Sequence, residues 1–339
     1  MTIPAILRSF VVVFFLLLSC PAHAVVFKIA TLSPDGSFWM QKMREGAEEV
    51  AQKTNNRVRF KFYPGGVMGD DKVVLRKIRI GQLHGGAVVS GSLSDYFPDN
   101  LVYGLPLKFK SFDEVDYVRK RMDHLLNEGL EKSGFVTFGL AEGGFAYIMS
   151  NAPVRTLDDL RKRKVWAPDN DLTTLEAVKA FGITPIPLSI ADVRTGLQTG
   201  LIDTVTISPI GAVALQWHTQ VNYLMDIPLF YIYGLLAVDQ KVFSKIPPGH
   251  QKVVREVMGR VFREIDRRNR EDNVKALETL RKQSIQFVKP SAKALKEWSS
   301  MTSVVSKRLI DTGKLSEGIL NTLDGILGEY RSQHADVDK

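Results

Sequence analysis

The apolar residues of this chain fall at two periods. Residues 25–30 (VVFKIA) form a strand-like run, and after Ser33-Pro34-Asp35, which offers a helix start, Trp39, Met43, Ala47 and Val50 recur at helical spacing. Residues 57–63 (RVRFKFY) alternate, with Val58, Phe60 and Phe62 on one face and Arg57, Arg59 and Lys61 on the other. Past the Pro64-Gly65-Gly66 turn, a second helix carries Val74, Leu75 and Ile78, stops at Gly81 and leads into a strand at 85–90 (GGAVVS). Strand, helix, strand, helix, strand is how a doubly wound sheet opens.

The pattern resumes downstream. Residues 135–140 and 145–150 read as two strands parted by a Gly143-Gly144 break. Thr156-Leu157-Asp158-Asp159 has the form of a capping box, in which a hydroxyl and an acid three residues later satisfy exposed N–H groups. Ser189-Ile190-Ala191-Asp192 repeats the form and opens a helix that closes at Gly200, before a strand at 202–207 (IDTVTI). Helical periodicity dominates 249–283 and 291–331, with a strand at 284–288 (SIQFV) between them. The expected fold is α/β with two lobes, each a sheet flanked by helices. The long C-terminal helices brace both lobes, since no third core exists for them to join.

Composition narrows the compartment. Arg8, the apolar run 10–18 and Ala22-His23-Ala24 read as a secretory signal peptide over residues 1–24. That run is shorter than the about 20 apolar residues a membrane span needs. Leu17-Leu18-Ser19-Cys20 also fits a lipobox, so lipid anchoring at Cys20 stands as the alternative to cleavage after Ala24. With Cys20 removed, a disulfide framework, a thiolate metal site and a cysteine nucleophile are all excluded. The remaining length suits two cores better than one. The formal charge of +8 does not imply a nucleic-acid partner, because Lys and Arg are mixed with acids, as in 260–273 (RVFREIDRRNREDN).

Catalytic signatures are absent. The histidines, His23, His84, His124, His218, His250 and His334, never fall at metal-ligand spacing. Residues 65–70 (GGVMGD) are glycine-rich before a helix but lack the lysine of a phosphate loop, so a tight turn is the expectation. No Gly-x-Ser-x-Gly elbow occurs. Paired α/β lobes, an export signal and no catalytic set point to a binding protein that closes over a ligand, with no cofactor and no metal.

Four stretches carry a family resemblance: 60–83 (FKFYPGGVMGDDKVVLRKIRIGQL), 100–115 (NLVYGLPLKFKSFDEV), 153–165 (PVRTLDDLRKRKV) and 188–203 (LSIADVRTGLQTGLID). In this order they resemble the solute-binding subunits of tripartite ATP-independent periplasmic (TRAP) transporters, the DctP-type proteins, over about 25–330. The resemblance implies two α/β lobes joined by shared strands and a long helix. On that basis lobe I spans 25–143 plus about 232–271. Lobe II and the C-terminal helices take 144–231 plus about 272–339. It also implies a periplasmic location, a small-molecule ligand, typically an organic acid, and delivery to small and large membrane permease subunits.

The chain departs from the family where the ligand is held. The family's Gly-Phe-Arg strand is Gly144-Phe145-Ala146 here, and its Lys-x-Arg strand, whose arginine grips the ligand carboxylate, is Lys164-Val165-Trp166. The family's Asp-Gly-x-Glu-Asn-Pro run becomes 203–209 (DTVTISP), which puts Ile207 or Ser208 at the asparagine position. Losing the cationic partner of a buried carboxylate costs about 3–5 kcal/mol, and an indole face repels an anion. Stacking on Trp166 could bury roughly 50–100 Å² of a flat ligand, about 1–2.5 kcal/mol. The expected ligand is therefore neutral or apolar. Its pocket is expected at Trp166, Ala146, Phe145, Tyr147, Ile207 and Ser208 of the second lobe and Phe38 and Trp39 of the first. Two alternatives stay open: an acid held by a clamp rebuilt from Arg163, Lys164, Arg194 or Lys108, and a periplasmic lipid carrier or sensor with no permease.

Overall fold

The computed structural model describes residues 24–334 apart from 170 and 171, so Cys20 and the apolar leader lie outside the described residues. Strand β1 (Val25–Thr31) pairs in parallel with β2 (Val58–Tyr63) and with β3 (Gly85–Val89). Helices α1 (Phe38–Lys53) and α2 (Asp71–Arg79) make the two crossovers, which is the doubly wound opening expected from the sequence. Helix α1 starts later than Ser33-Pro34-Asp35: Ser37 is the N-cap, its hydroxyl accepting the Met40 N–H at 3.3 Å. The segment before it is committed elsewhere, because the Ser33 and Thr31 carbonyls accept the N–H groups of Gly65 and Gly66. That turn needs φ of +67° and +76°, which glycine adopts without strain.

The chain continues through α3 (Phe112–Lys132), β4 (Phe135–Val136), β5 (Leu140–Ser150), α4 (Leu157–Arg161), β6 (Trp166–Pro168), α5 (Leu172–Ala180) and β7 (Ile186–Leu188). There follow α6 (Val193–Thr199), β8 (Thr204–Ile207), α7 (Pro209–Ala214), β9 (Tyr223–Met225), β10 (Phe230–Asp239) and α8 (Gln240–Phe243). The tail is α9 (Pro248–Lys282), β11 (Gln286–Val288), α10 (Ala292–Asp311) and α11 (Glu317–Gln333).

Three sequence expectations are corrected. The Gly143-Gly144 pair does not break a strand: β5 runs through it, and the register with β10 shifts between Ile232 and Tyr233, a bulge. Gly144 holds φ at +89°, so the pair absorbs the irregularity while β10 supplies partners on both sides. The second capping box does not form either. Asp192 has helical backbone angles and no capping bond, and the Ser189 hydroxyl donates to its carboxylate at 2.7 Å. The box at Thr156 and Asp159 is present with both bonds. The helical stretch 291–331 is two helices, parted at Gly313 with φ +67° and pinned where Asp99 accepts the Ser316 N–H and hydroxyl, each at 2.7 Å.

One sheet runs in the order β11-β9-β5-β10-β3-β1-β2. Residues 140–146 of β5 pair with β10, whereas 147–150 pair with β8 and 149–150 with β9. The far half of β10, Gly234 to Val238, pairs with β3. These two strands are shared between the halves of the molecule, and α9, about 50 Å long, packs against α1, β5 and α7. The apolar core follows this plan: Phe27, Met40, Met43 and Phe262 fill one end, and Met149, Trp217, Leu224 and Leu280 the other. A third cluster lies along α3, β5, β10 and the C-terminal helices.

Candidate functional site

Where the shared strands meet α9, the charges are paired around a buried carboxylate. Glu142 of β5, with a side chain 1% exposed, accepts from Arg270 Nε at 2.9 Å and from the Tyr231 hydroxyl at 3.3 Å. Arg270 Nη1 reaches Asp116 of α3 at 2.7 Å. Arg119 donates to Asp266 at 2.8 Å, to Asp123 at 3.1 Å and to the Leu140 carbonyl at 2.8 Å. Asn269 and Asn273 hold the carbonyls of Glu142 and Gly143 at 2.7 and 3.1 Å. Burial pushes the Glu142 carboxyl up, against the pull of Arg270. Two cations, four acids and two amides thus fix the bulged crossover strand to the long helix.

A cavity of about 590 Å³ opens elsewhere, between α2 with the segment after β3 on one side and the corner between β6 and α5 on the other. Its walls carry Lys72, Arg76 and Arg79 of α2, Asp95 and Tyr96, Asp169 beyond β6, and Lys314. Arg79 donates to the Tyr96 hydroxyl at 3.1 Å and lies over its ring, and Lys314 stands 4.0 Å from Asp95. Lys72, Arg76 and Asp169 have no hydrogen-bond or ion-pair partner among the described residues. Beneath this wall, Asp71 is 3% exposed and accepts the Val89 N–H at 3.0 Å and the Ser92 hydroxyl at 2.9 Å. Burial pushes its carboxyl up to about 6, against the pull of those two donors. Asp71 ties the first turn of α2 to the corner after β3, and both elements line the cavity.

The residues expected from the sequence to form a pocket fall into three places. Trp166 is 4% exposed, its indole edge-on to Trp217 at 5.2 Å and its N–H donated to the Leu188 carbonyl at 3.0 Å. Tyr147 and Ile207, paired across β5 and β8, pack against the same cluster, and Ser208 follows Ile207, buried. Phe145 and Ala146 point to the central cluster, where Phe145 meets Phe112 at 4.8 Å. Phe38 and Trp39 belong to the opposite end: Trp39 is edge-on to Phe262 at 5.6 Å, and Phe38 lies under Lys42 and Arg268. None of the eight lines the cavity. Of the cations considered for a rebuilt clamp, Arg163 faces Asp203 at 3.6 Å, Lys164 donates to the Gly200 carbonyl at 2.7 Å and Lys108 pairs with Asp324. Arg194 is exposed on α6.

The helical period of α2 marks out its buried stripe of Val74, Leu75 and Ile78, and the cations that line the cavity stand outside that stripe. Their signal was available. Lys72, Arg76 and Arg79 stand at i, i+4 and i+7, with no acid at the spacings that would neutralise them along the helix. Among the described residues, no group of His, Cys, Asp and Glu could hold a metal ion, and no helix is long and apolar enough to cross a membrane.

Residues 29–312 match the family described as bacterial extracellular solute-binding protein, family 7 (DctP). A structure of DctP7, a Bordetella pertussis extracytoplasmic solute receptor binding pyroglutamic acid, is similar in fold. Its TM-score is 0.80 at 20% identity, over 90% of this chain and 99% of that one. The sugar acid binding protein DctPAm of Advenella mimigardefordensis, in complex with galactonate, gives a TM-score of 0.81 at 17% identity, over 91% and 99%. In sequence, the uncharacterised protein YiiZ of Salmonella typhimurium is 25% identical over 61% of this chain and 64% of its own length. Across four curated relatives the match spans from 47% to 65% of the relative's length. The chain belongs to the DctP family of TRAP solute-binding proteins, with the two-lobed fold of that family.

Proposed function

We propose that this TRAP-family chain works in the periplasm, captures a small organic acid in the cleft between its lobes and presents it to small and large membrane permease subunits. The lobes are divided near 143 and 231 and again near 271, so closure moves α2 toward the corner after β6. One observation carries the choice of an acid: Lys72 and Arg76 stand one helical turn apart on a cavity wall, with no ion-pair partner among the described residues. An anion between them gains two charge-assisted contacts, the strongest hydrogen bonds available to it. The relatives that bind pyroglutamic acid and galactonate agree with this charge class.

A second reading rests on Ala146 and Trp166, which leave both of the family's arginine positions without a cation. In it the ligand is neutral or apolar and meets Trp166, Ala146 or Tyr147 in an open state of the lobes. Thermal unfolding with a panel of aldonates, pyroglutamate and matched neutral alcohols and lactams decides between the two. Stabilisation by acids alone, weakened by salt, supports the first; stabilisation by neutral compounds alone, or apolar cargo in native mass spectrometry, overturns it.

A further inference from the structure

The cavity wall that faces α2 carries its own charge. Asp169, at the corner after β6, is exposed, unpaired and the only charged side chain this corner gives to the cavity among the described residues. Leu175 beside it is apolar. On the opposite wall the free charges are Lys72 and Arg76, because Arg79 is engaged by Tyr96 and Lys314 lies close to Asp95. The cavity is therefore cationic on one face and anionic on the other. A ligand with one carboxylate satisfies Lys72 and Arg76. Its far end then meets a carboxylate, which accepts hydrogen bonds and donates none.

We infer that Asp169 is a specificity-determining residue, selecting acids whose far end is a hydroxyl or an ammonium and rejecting those with a second carboxylate. This rests on the acid-binding reading above. The mechanism is discrimination by repulsion: a second carboxylate is placed against a like charge in a cleft that closure dries, whereas a hydroxyl or ammonium donates to the same oxygens. The size of the ligand is bounded by the cavity: at about 590 Å³ it has room for a molecule of sugar-acid size.

The experiment uses the mature chain and matched pairs that differ only at the far end, galactonate against galactarate and 4-hydroxybutyrate against succinate, by calorimetric titration. The wild type is expected to bind the better singly acidic member at least about tenfold more tightly than its doubly acidic partner. Asp169→Asn should erase or reverse that ratio, mainly by improving the diacid, while Lys72→Ala weakens both members together. Asp169 is exposed, so its replacement leaves folding intact, and a matching melting temperature of the free proteins checks this. Acids that bind with the same ratio in wild type and Asp169→Asn overturn the inference and leave the acid reading standing. A wild type that binds no acid overturns both.

Discussion

The molecule contains two charged regions built on opposite rules. At the crossover strand, Glu142 of β5 and Arg119 of α3 meet Arg270 and Asp266 of α9, and each finds a partner. On the cavity wall, Lys72 and Arg76 are exposed and find none among the described residues. The first arrangement locks geometry, since a buried charge is tolerated only while its partner is in place. The second, on the acid-binding reading proposed above, is left open for a ligand. Asp71 lies between the two kinds, buried like the first and, among the described residues, without an ion-pair partner like the second.

The comparison breaks most easily at the locked end. Arg270→Ala strands Glu142, 1% exposed, without its cation, and should lower the unfolding free energy by about 3–5 kcal/mol in chemical denaturation. A loss below about 1 kcal/mol would mean that water replaces the guanidinium and that the strand is not locked by charge. Trp166→Arg asks to which rule the family's arginine position now belongs. With the indole 4% exposed against Trp217, the new cation replaces a packed ring in an apolar cluster and should cost about 3–5 kcal/mol. A variant as stable as wild type would place position 166 on the solvated side of the comparison and favour a ligand there.

Asp71 gives a prediction with a pH window. Its carboxyl is raised from 3.8 to about 6, so the folded state holds the proton more tightly than the unfolded chain does. The stability this contributes is complete below pH 3.8 and is lost as pH rises to about 6, a loss of ~3 kcal/mol. Asp71→Asn cannot ionise and escapes the loss. Relative to wild type, it should gain most of that amount between pH 4 and pH 6, read from denaturation midpoints across the range. Parallel pH profiles for the two proteins would mean that Asp71 ionises normally.

Much of the fold was legible in the sequence because period and turn chemistry are local. The opening sheet, the Thr156 capping box, the strand at 286–288 and the long α9 all follow from residues within a few positions of one another. The errors arose where a distant partner decides. Only the pairing of β5 with β10 shows that Gly143-Gly144 is a bulge, and only the turn at Gly65-Gly66 explains why α1 waits for Ser37. The candidate site was less legible for the same reason. Trp166 was noticed by its position in a motif, but Trp217, which packs against it, lies 51 residues away. Lys72 and Arg76 were visible as a basic helix face, yet only the fold opposes Asp169 to them.

The smallest expected effect on stability tests the open end of the comparison. Lys72→Ala and Arg76→Ala each remove an exposed cation with no partner among the described residues, so the free protein should change by less than about 0.5 kcal/mol. Removing one of two like charges a turn apart should even relieve a little repulsion. If the cations are held for a ligand, their loss shows only when an acid is present: the acid-induced rise in melting temperature should shrink in each single variant and vanish in the double. Equal melting shifts in wild type and double variant would make the wall an ordinary solvated helix face. A double variant that is itself unstable would mean that these cations serve folding, as Arg119 and Arg270 do, and the two regions would then obey one rule.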